Sequence, residues 1–530
     1  MNRVIGLVGG GGVLTMDAQM PVSEAVLVEG DVIAYLGSSE QVRVLCESKG
    51  GHVLDLNGRV LLPGFHDCHV HMMGTGLNTL AIDMYDCRSV GEVLEQVREA
   101  SRTYSGDRWI FGKGLDESRL QERRPPTTAE LDGVAPQHPV YIIDRGLHYT
   151  LVNTVAFRLL GLSEDTRGVG KDPAGNFTGR LHEEANTRAR KVFFEKQSRT
   201  QREEALRRVA QMAAQAGITT LCAVEGGELF ADSDVPILMG VQEELPVRVL
   251  LYWSTEDTAK IKEAGLPRQG SDILLDGSIG SRTAAFEQPY QDDPSSKGFL
   301  YYSDERVEEL ITAAHLADLQ ISFHAIGERA ITQALNCFER VLSRHPKADH
   351  RHCLQHFGFP KPGEIERAAR LGIVLSTQPA YMYLRGRPGE VYVERLGQER
   401  ARRGYPLRKF LDAGLTVGGG SDSDVTPMVP LLGIHAAVNQ PYAESNITVA
   451  EALRMYTIEA AKTTFGERSR GSIAVGKQAD LVLLAQNPLQ TAPDKLKDIP
   501  VVMTMKGGEI TYEAESFCAV DRRARPEGRG

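Results

Sequence analysis

The chain has 530 residues, 42% hydrophobic and 25% charged, with a formal net charge of −10. At about 100–200 residues per domain, this length predicts up to three domains, or one large α/β barrel with a smaller partner. An ordinary apolar fraction excludes global disorder, and the acidic balance argues against a nucleic-acid partner, which requires a basic stripe.

The seven cysteines, from Cys46 to Cys518, are scattered, odd in number and contain no C-x-x-C pair. This is not a disulfide framework, so a reducing cytoplasm is expected. The N-terminus lacks the long apolar stretch of a signal peptide. No run approaches the ~18–20 apolar residues of a membrane span, and none is expected.

In chain order, residues 1–62 read as β structure. Residues 25–37 form two apolar runs broken by Gly30-Asp31, a hairpin signal, and Asn57-Gly58 marks a second hairpin turn. Residues 471–489 and 499–513 are again β-rich and punctuated by glycine. Two such ends predict one small β domain assembled from both termini. The middle alternates strands and helices, the signature of parallel α/β architecture. Eight strands are predicted, at 61–71, 219–227, 247–253, 272–278, 321–327, 352–357, 373–379 and 416–422. A helix over 327–345 places Ala330, Ile331, Ala334, Leu335, Phe338, Val341 and Leu342 on one face. Eight βα units predict a TIM-type (β/α)8 barrel.

The gap between the first two strands far exceeds a normal βα connection, so residues 72–210 read as an insertion, a lid over the catalytic face. The expected organisation is a composite β-sandwich whose N-terminal strands occupy 1–62 and whose C-terminal strands occupy 466–515, a barrel at 63–465 between them, and a flexible tail at 516–530.

The chemistry concentrates at strand ends. In Phe65-His66-Asp67-Cys68-His69-Val70-His71 the last two histidines, His69 and His71, share a face, because strand side chains alternate with period two. Two imidazoles from one strand end make half of a metal site. His324, His356 and Asp422 fall at the ends of the fifth, sixth and eighth strands, where a barrel exposes its active residues. Five such ligands outweigh the alternative of hydrogen-bonded core histidines. Cys68 has the opposite parity to these ligands and reads as packing.

These residues carry a family resemblance. PGFHDCHVH resembles the PGFxDxHxH signature of the amidohydrolase superfamily. DGSIGSRTA, FHAIGERA, GGSDSDVTP and GSIAVGKQADLVLL are similar to the branch called amidohydrolase family 3. The resemblance spans about residues 4–510. It implies His69, His71, His324 and His356 as metal ligands, with Asp422 both ligand and proton acceptor.

The chain departs from the family pattern on the fourth strand. Many members carry there a lysine whose carboxylated amine bridges two metals, and here the place belongs to Asp272. An aspartate is several ångströms shorter, so Asp272 is expected to fall short of that point. Asp276 either serves the site or caps a turn. Glu225, ending the second strand, is the other carboxylate at the rim. Three arrangements stay open: one metal, two metals bridged by Glu225, or a partly lost site. Zinc is the first choice of cation.

In the insertion the resemblance maps onto His148, a catalytic donor to the substrate carbonyl or a structural histidine, and onto Asn153 and Asp116, which are expected to contact the substrate, Asp116 in a segment that shapes the pocket. Arg282 either binds a substrate carboxylate or forms a structural ion pair. The resemblance implies hydrolysis of a non-peptide carbon–nitrogen bond in a small molecule: an amide, cyclic amide or N-formyl group. A deaminase on the same scaffold and a non-catalytic regulatory descendant are the alternatives. Membranes and nucleic acids are not expected partners, and homo-oligomerisation stays open.

Overall fold

The predicted apolar runs form one eight-stranded parallel sheet in a computed structural model that describes residues 3–105, 108–144, 149–227, 231–515 and 517. Its strands are β1 (Phe65–Val70), β2 (Ile218–Glu225), β3 (Arg248–Trp253), β4 (Arg268–Leu274), β5 (Gln320–Ala325), β6 (Cys353–His356), β7 (Val374–Thr377) and β8 (Val417–Gly419). They neighbour one another in sequence order from β1 to β8. A parallel bridge between Val70 and Ser423, just past β8, brings the two edges together. The result is the expected TIM-type barrel. Strands covered on both faces read as unbroken apolar runs, and all eight residues of β2 are buried. Between β5 and β6 lies α2, Glu328–Arg344, preceded by α1, Asp304–Leu316. The α2 face bearing Ala330, Ile331, Ala334, Leu335, Phe338 and Val341 is buried, as its spacing predicts.

Three strand readings are corrected. The run 61–71 breaks at Gly64: Val60–Pro63 pairs antiparallel with Leu481–Leu484, and only Phe65–Val70 enters the barrel. The fourth strand lies at Arg268–Leu274 rather than 272–278, because the ladder shifts register between Gly270 and Leu274. The Asn57-Gly58 turn exists, with φ of 50° and 76°. It does not close a hairpin, because His52–Asp55 pairs with Val4–Val8 while the chain after the turn crosses to the other sheet.

The chain ends do combine. One four-stranded sheet comes from residues 4–55, and a six-stranded sheet joins 13–63 to 481–513. Leu7, Val26 and Val28 of the first share one apolar cluster with Leu61, Leu481, Leu483 and Met503 of the second. Hydrophobic burial between two sheets is the organising force of such a sandwich. Barrel and sandwich form one compact unit, residues 1–71, 210–227 and 242–530.

The second unit comprises residues 72–209 and 228–241. It holds a mixed six-stranded sheet in which two inner strands, Ile110–Leu115 and Val140–Asp144, run parallel. Its own core includes Val93, Val97, Ile110, Leu131, Val140 and Leu151.

A histidine chain ties the outer layer of the barrel. His352 Nδ1 accepts from the Ile321 amide, which leaves Nε2–H to donate to His315 Nδ1 at 2.9 Å. His350 Nδ1 accepts from the His352 amide and its Nε2 donates to the Leu371 carbonyl. Burial, aided by the neighbouring charges, holds His350 below the usual imidazole range and His352 well below it. Both contribute stability that is complete above the unfolded value of about 6.5. It is lost as pH falls below that value, since the unfolded chain then takes up protons that the folded chain refuses. We expect the melting midpoint to drop between pH 7 and 5.5, and His350→Asn to flatten that slope in calorimetry; an unchanged slope would contradict this account.

Candidate metal centre

Four imidazoles converge at the C-terminal ends of β1, β5 and β6. His71, His69, His356 and His324 form a contiguous series, with ring centroids 5.1, 5.4 and 4.5 Å apart along it. Each Nδ1 faces an acceptor. His69 Nδ1 meets Gln355 Oε1 at 2.8 Å and His71 Nδ1 the Val224 carbonyl at 3.2 Å. His356 Nδ1 meets Gln378 Oε1 at 2.7 Å, and His324 Nδ1 lies 3.5 Å from Asp276 Oδ1. The Gln355 amide group is fixed in turn, because its Nε2 donates to Ser322 Oγ. In a neutral ring, a proton on Nδ1 leaves Nε2 a lone pair, the tautomer that metal-binding histidines carry.

The Nε2 atoms of His69 and His71 face carboxylates. Asp422 Oδ1 is 3.5 Å from His69 Nε2 and 3.0 Å from His71 Nε2. Asp272 lies 3.7 Å from His69 Nε2 and 3.4 Å from His71 Nε2. Ligand atoms of His69, His71 and Asp422 lie within 4.8 Å of one another, and so do those of His69, Asp272 and His356. His69 Nε2 and Asp272 Oδ1 are buried without a hydrogen-bond partner. Buried acceptors facing one another are costly unless a cation lies between them. Imidazole nitrogen with carboxylate oxygen is a donor set that suits a divalent transition ion such as zinc.

The electrostatics follow from the same geometry. Burial disfavours a charged His71. Its hydrogen bond to Asp422 and the charges of Asp272, Asp422 and Glu225 overcome that and push its pKa up to about 10. Asp422 is driven far below the usual carboxylate range: burial opposes its ionisation, and the His69, His71 and His356 imidazoles outweigh that opposition. The centre therefore attracts positive charge.

Local backbone turns aim these groups. His356 and Asp422 adopt positive φ, 66° and 54°, a conformation held at the cost of local strain. Asp67 Oδ1 accepts from the His69 amide at 3.2 Å and the Ser421 amide at 2.9 Å, pinning β1 to the segment after β8. Its pKa is pushed up to about 7, chiefly by burial.

The expectation that Asp272 falls short is overturned. Gly270 and Ser271 both have positive φ, 87° and 83°, and the Asp272 amide donates to Ser254 Oγ at 3.2 Å. This bulge re-aims the short side chain into the centre. Asp276 accepts from the amides of Ala285, Ile326 and Gly327 at 2.7–2.9 Å while facing His324 Nδ1. It faces the histidine and ties the β4–α1 connection to the turn after β5. Glu225 is fully buried at the end of β2 and belongs to neither ligand group, and His324, beside His356, lies outside both groups as well.

Other candidates are placed differently. Arg282 Nε and Nη2 bind both oxygens of Asp292 at 3.1 and 2.8 Å, so the structural ion pair is what forms. The Asn153 side chain caps helix Thr154–Leu159 by accepting from the Ala156 and Val140 amides, and donates to the Ala135 and His138 carbonyls. Every hydrogen-bonding position of that amide is spent inside the fold, so its expected substrate contact is corrected to a structural role. Asp116 caps the short helix Glu117–Arg119. His148 lies outside the described residues.

Sequence reasoning missed Tyr381, on α3 (Pro379–Arg385). Its hydroxyl donates to Asp422 Oδ2, and its ring stacks on His356 with centroids 5.8 Å apart. It missed Gln378 as well, although a glutamine ending β7 beside a ligand strand is a readable signal.

Comparison with known proteins agrees with this geometry. The amidohydrolase family profile matches residues 52–512. YtcJ of Bacillus subtilis, named as a putative amidohydrolase, is 31% identical over 95% of this chain and 98% of its own. An N-substituted formamide deformylase of Arthrobacter pascens is 28% identical, covering 94% and 97%. The crystal structure of an uncharacterised metal-dependent hydrolase from Pyrococcus furiosus superposes with a TM-score of 0.80 at 27% identity, covering 92% of this chain and all of the other. With its barrel, its histidine set and this match along most of its length, the chain belongs to the amidohydrolase family.

Proposed function

We propose that this protein is a zinc-dependent hydrolase of small non-peptide carbon–nitrogen bonds, with N-substituted formamides as the first substrate class. The observation that carries the reading is the meeting of His69 Nε2 and His71 Nε2 with Asp422 and Asp272, with the rings of His356 and His324 continuing the series. His69, His71 and Asp422 would hold one cation, and Asp272 and His356, with His69 shared between the two groups, a second position that His324 adjoins. A bound divalent cation supplies Lewis acidity, bringing the pKa of water to about 7 and polarising a carbonyl.

The protein's own residues do the remaining work. Asp422 stays ionised and turns one oxygen toward the reacting centre, while Tyr381 fixes the other. In that position it takes the proton of the attacking water and delivers it to the departing nitrogen. Asp276, Gln355 and Gln378 hold the imidazoles in one tautomer, so no reorganisation is needed during the reaction. The deformylase relative favours an N-formyl group, the smallest acyl group such a site accepts. The six described cysteines are all free thiols, which supports a cytoplasmic setting. The terminal segments 1–62 and 466–515 serve as scaffold in this reading.

The test is product analysis over a panel of N-formyl amines, N-acyl amines, cyclic amides and ring amines. We expect formate release from N-alkylformamides, lost on chelation and restored by zinc. Ammonia release from ring amines without formate would replace this reading with deamination.

A further inference from the structure

A second polar cluster lies at the opposite, N-terminal end of the barrel. His66, Thr220 and Arg248 occupy one row across β1, β2 and β3, each in register with the next. Adjacent strands in such a row are about 4.8 Å apart. Arg268 opens β4, and Arg470 follows α4, Ile458–Thr463. Five polar atoms here are buried without a hydrogen-bond partner: His66 Nε2, Thr220 Oγ1 and the Nε of Arg248, Arg268 and Arg470. His66 is only 2% exposed and Thr220 fully buried.

The other contacts of the arginines do not neutralise them. Arg248 Nη2 donates to Gln478 Oε1 at 2.7 Å and lies 3.5 Å from Asp480 Oδ2. Arg268 Nη2 donates to the Thr464 carbonyl at 2.8 Å, and among the described residues Arg470 Nη1 donates to Ser469 Oγ at 3.4 Å. Burial and the charges of Arg248 and Arg268 both weigh against a charged Arg470. Three guanidinium groups and the nearby Lys506 ammonium face the carboxylate of Asp480, which leaves an excess of positive charge among the described residues of this cluster. Water satisfies orphan donors but does not cancel like charge. Arg248 keeps 29% of its side chain exposed, which gives solvent a way in.

We propose that this row is a binding site for one tetrahedral dianion, inorganic phosphate or sulfate. The guanidinium Nε–H groups and the Thr220 hydroxyl donate to its oxygens, and its two negative charges offset the positive excess. This site is separate from the metal centre and independent of the proposed reaction.

The test is equilibrium dialysis of inorganic phosphate against the metal-loaded full chain, wild type and Arg470→Gln, at fixed ionic strength. Both proteins keep the metal centre, so any phosphate bound there cancels. We expect the wild type to bind one phosphate per chain that Arg470→Gln binds roughly 10–100-fold more weakly, the loss of a charge-assisted contact. Sulfate should displace it and equimolar chloride should not. Thr220→Val, which removes no charge, should weaken the same site by about three- to tenfold and covers the case in which Arg470→Gln does not fold. Equal stoichiometry and affinity in wild type and variants, or displacement by chloride, would mean an adventitious ion only and overturn the proposal.

Discussion

Asp422→Asn is expected to leave a folded protein with kcat reduced roughly 10²–10⁴-fold, the usual weight of a positioned proton acceptor. The substitution preserves volume in a site where Asp422 is nearly buried. It removes the negative charge that faces His69 and His71 at 3.5 and 3.0 Å. It also replaces an acceptor pair with one acceptor and one donor, so an amide turned to keep the Tyr381 hydrogen bond presents N–H toward the imidazoles. Steady-state kinetics with a melting curve on the same sample separates loss of chemistry from loss of fold. Turnover within tenfold of wild type would remove Asp422 from the proton path.

Asp272→Ala carries the second large effect. Removing a partner that only orients a ligand typically weakens metal affinity 10–100-fold, and loss of a ligand should exceed that. We expect purified Asp272→Ala to hold clearly less metal than the wild type, with activity partly recovered by excess zinc. Glu225→Gln is the internal comparison: Glu225 lies outside both ligand groups, so its metal content should change little. Wild-type metal content in Asp272→Ala, or a larger loss in Glu225→Gln, would reverse the roles assigned to these two carboxylates.

The contrast between these residues shows what a sequence makes legible. His69, His71, His324, His356 and Asp422 are readable because strand parity and barrel topology alone bring strand ends to one rim. The eight strands are readable for a related reason: buried parallel strands are continuous apolar runs. Asp272 is misjudged from sequence because side-chain length is a poor guide when the backbone moves. Two consecutive positive φ values at Gly270 and Ser271 supply the reach that the side chain lacks. The same bulge displaces the predicted fourth strand. Asn57-Gly58 signals the right turn and the wrong pairing, since a local signal fixes the bend and distant residues such as Leu481–Leu484 decide the sheet. Arg282 carries both a functional and a structural reading in sequence, and Asn153 reads as a pocket residue. Only Asp292 and four backbone groups, distant or unmarked in sequence, settle their roles.

The most direct test is a crystal structure of zinc-reconstituted protein with anomalous data at the zinc edge. The account predicts a peak within about 2.0–2.2 Å of His69 Nε2, His71 Nε2 and an Asp422 oxygen, the zinc bonding range for these atoms. A fully reconstituted crystal with no peak among those residues, or with its peak elsewhere on the chain, would contradict it.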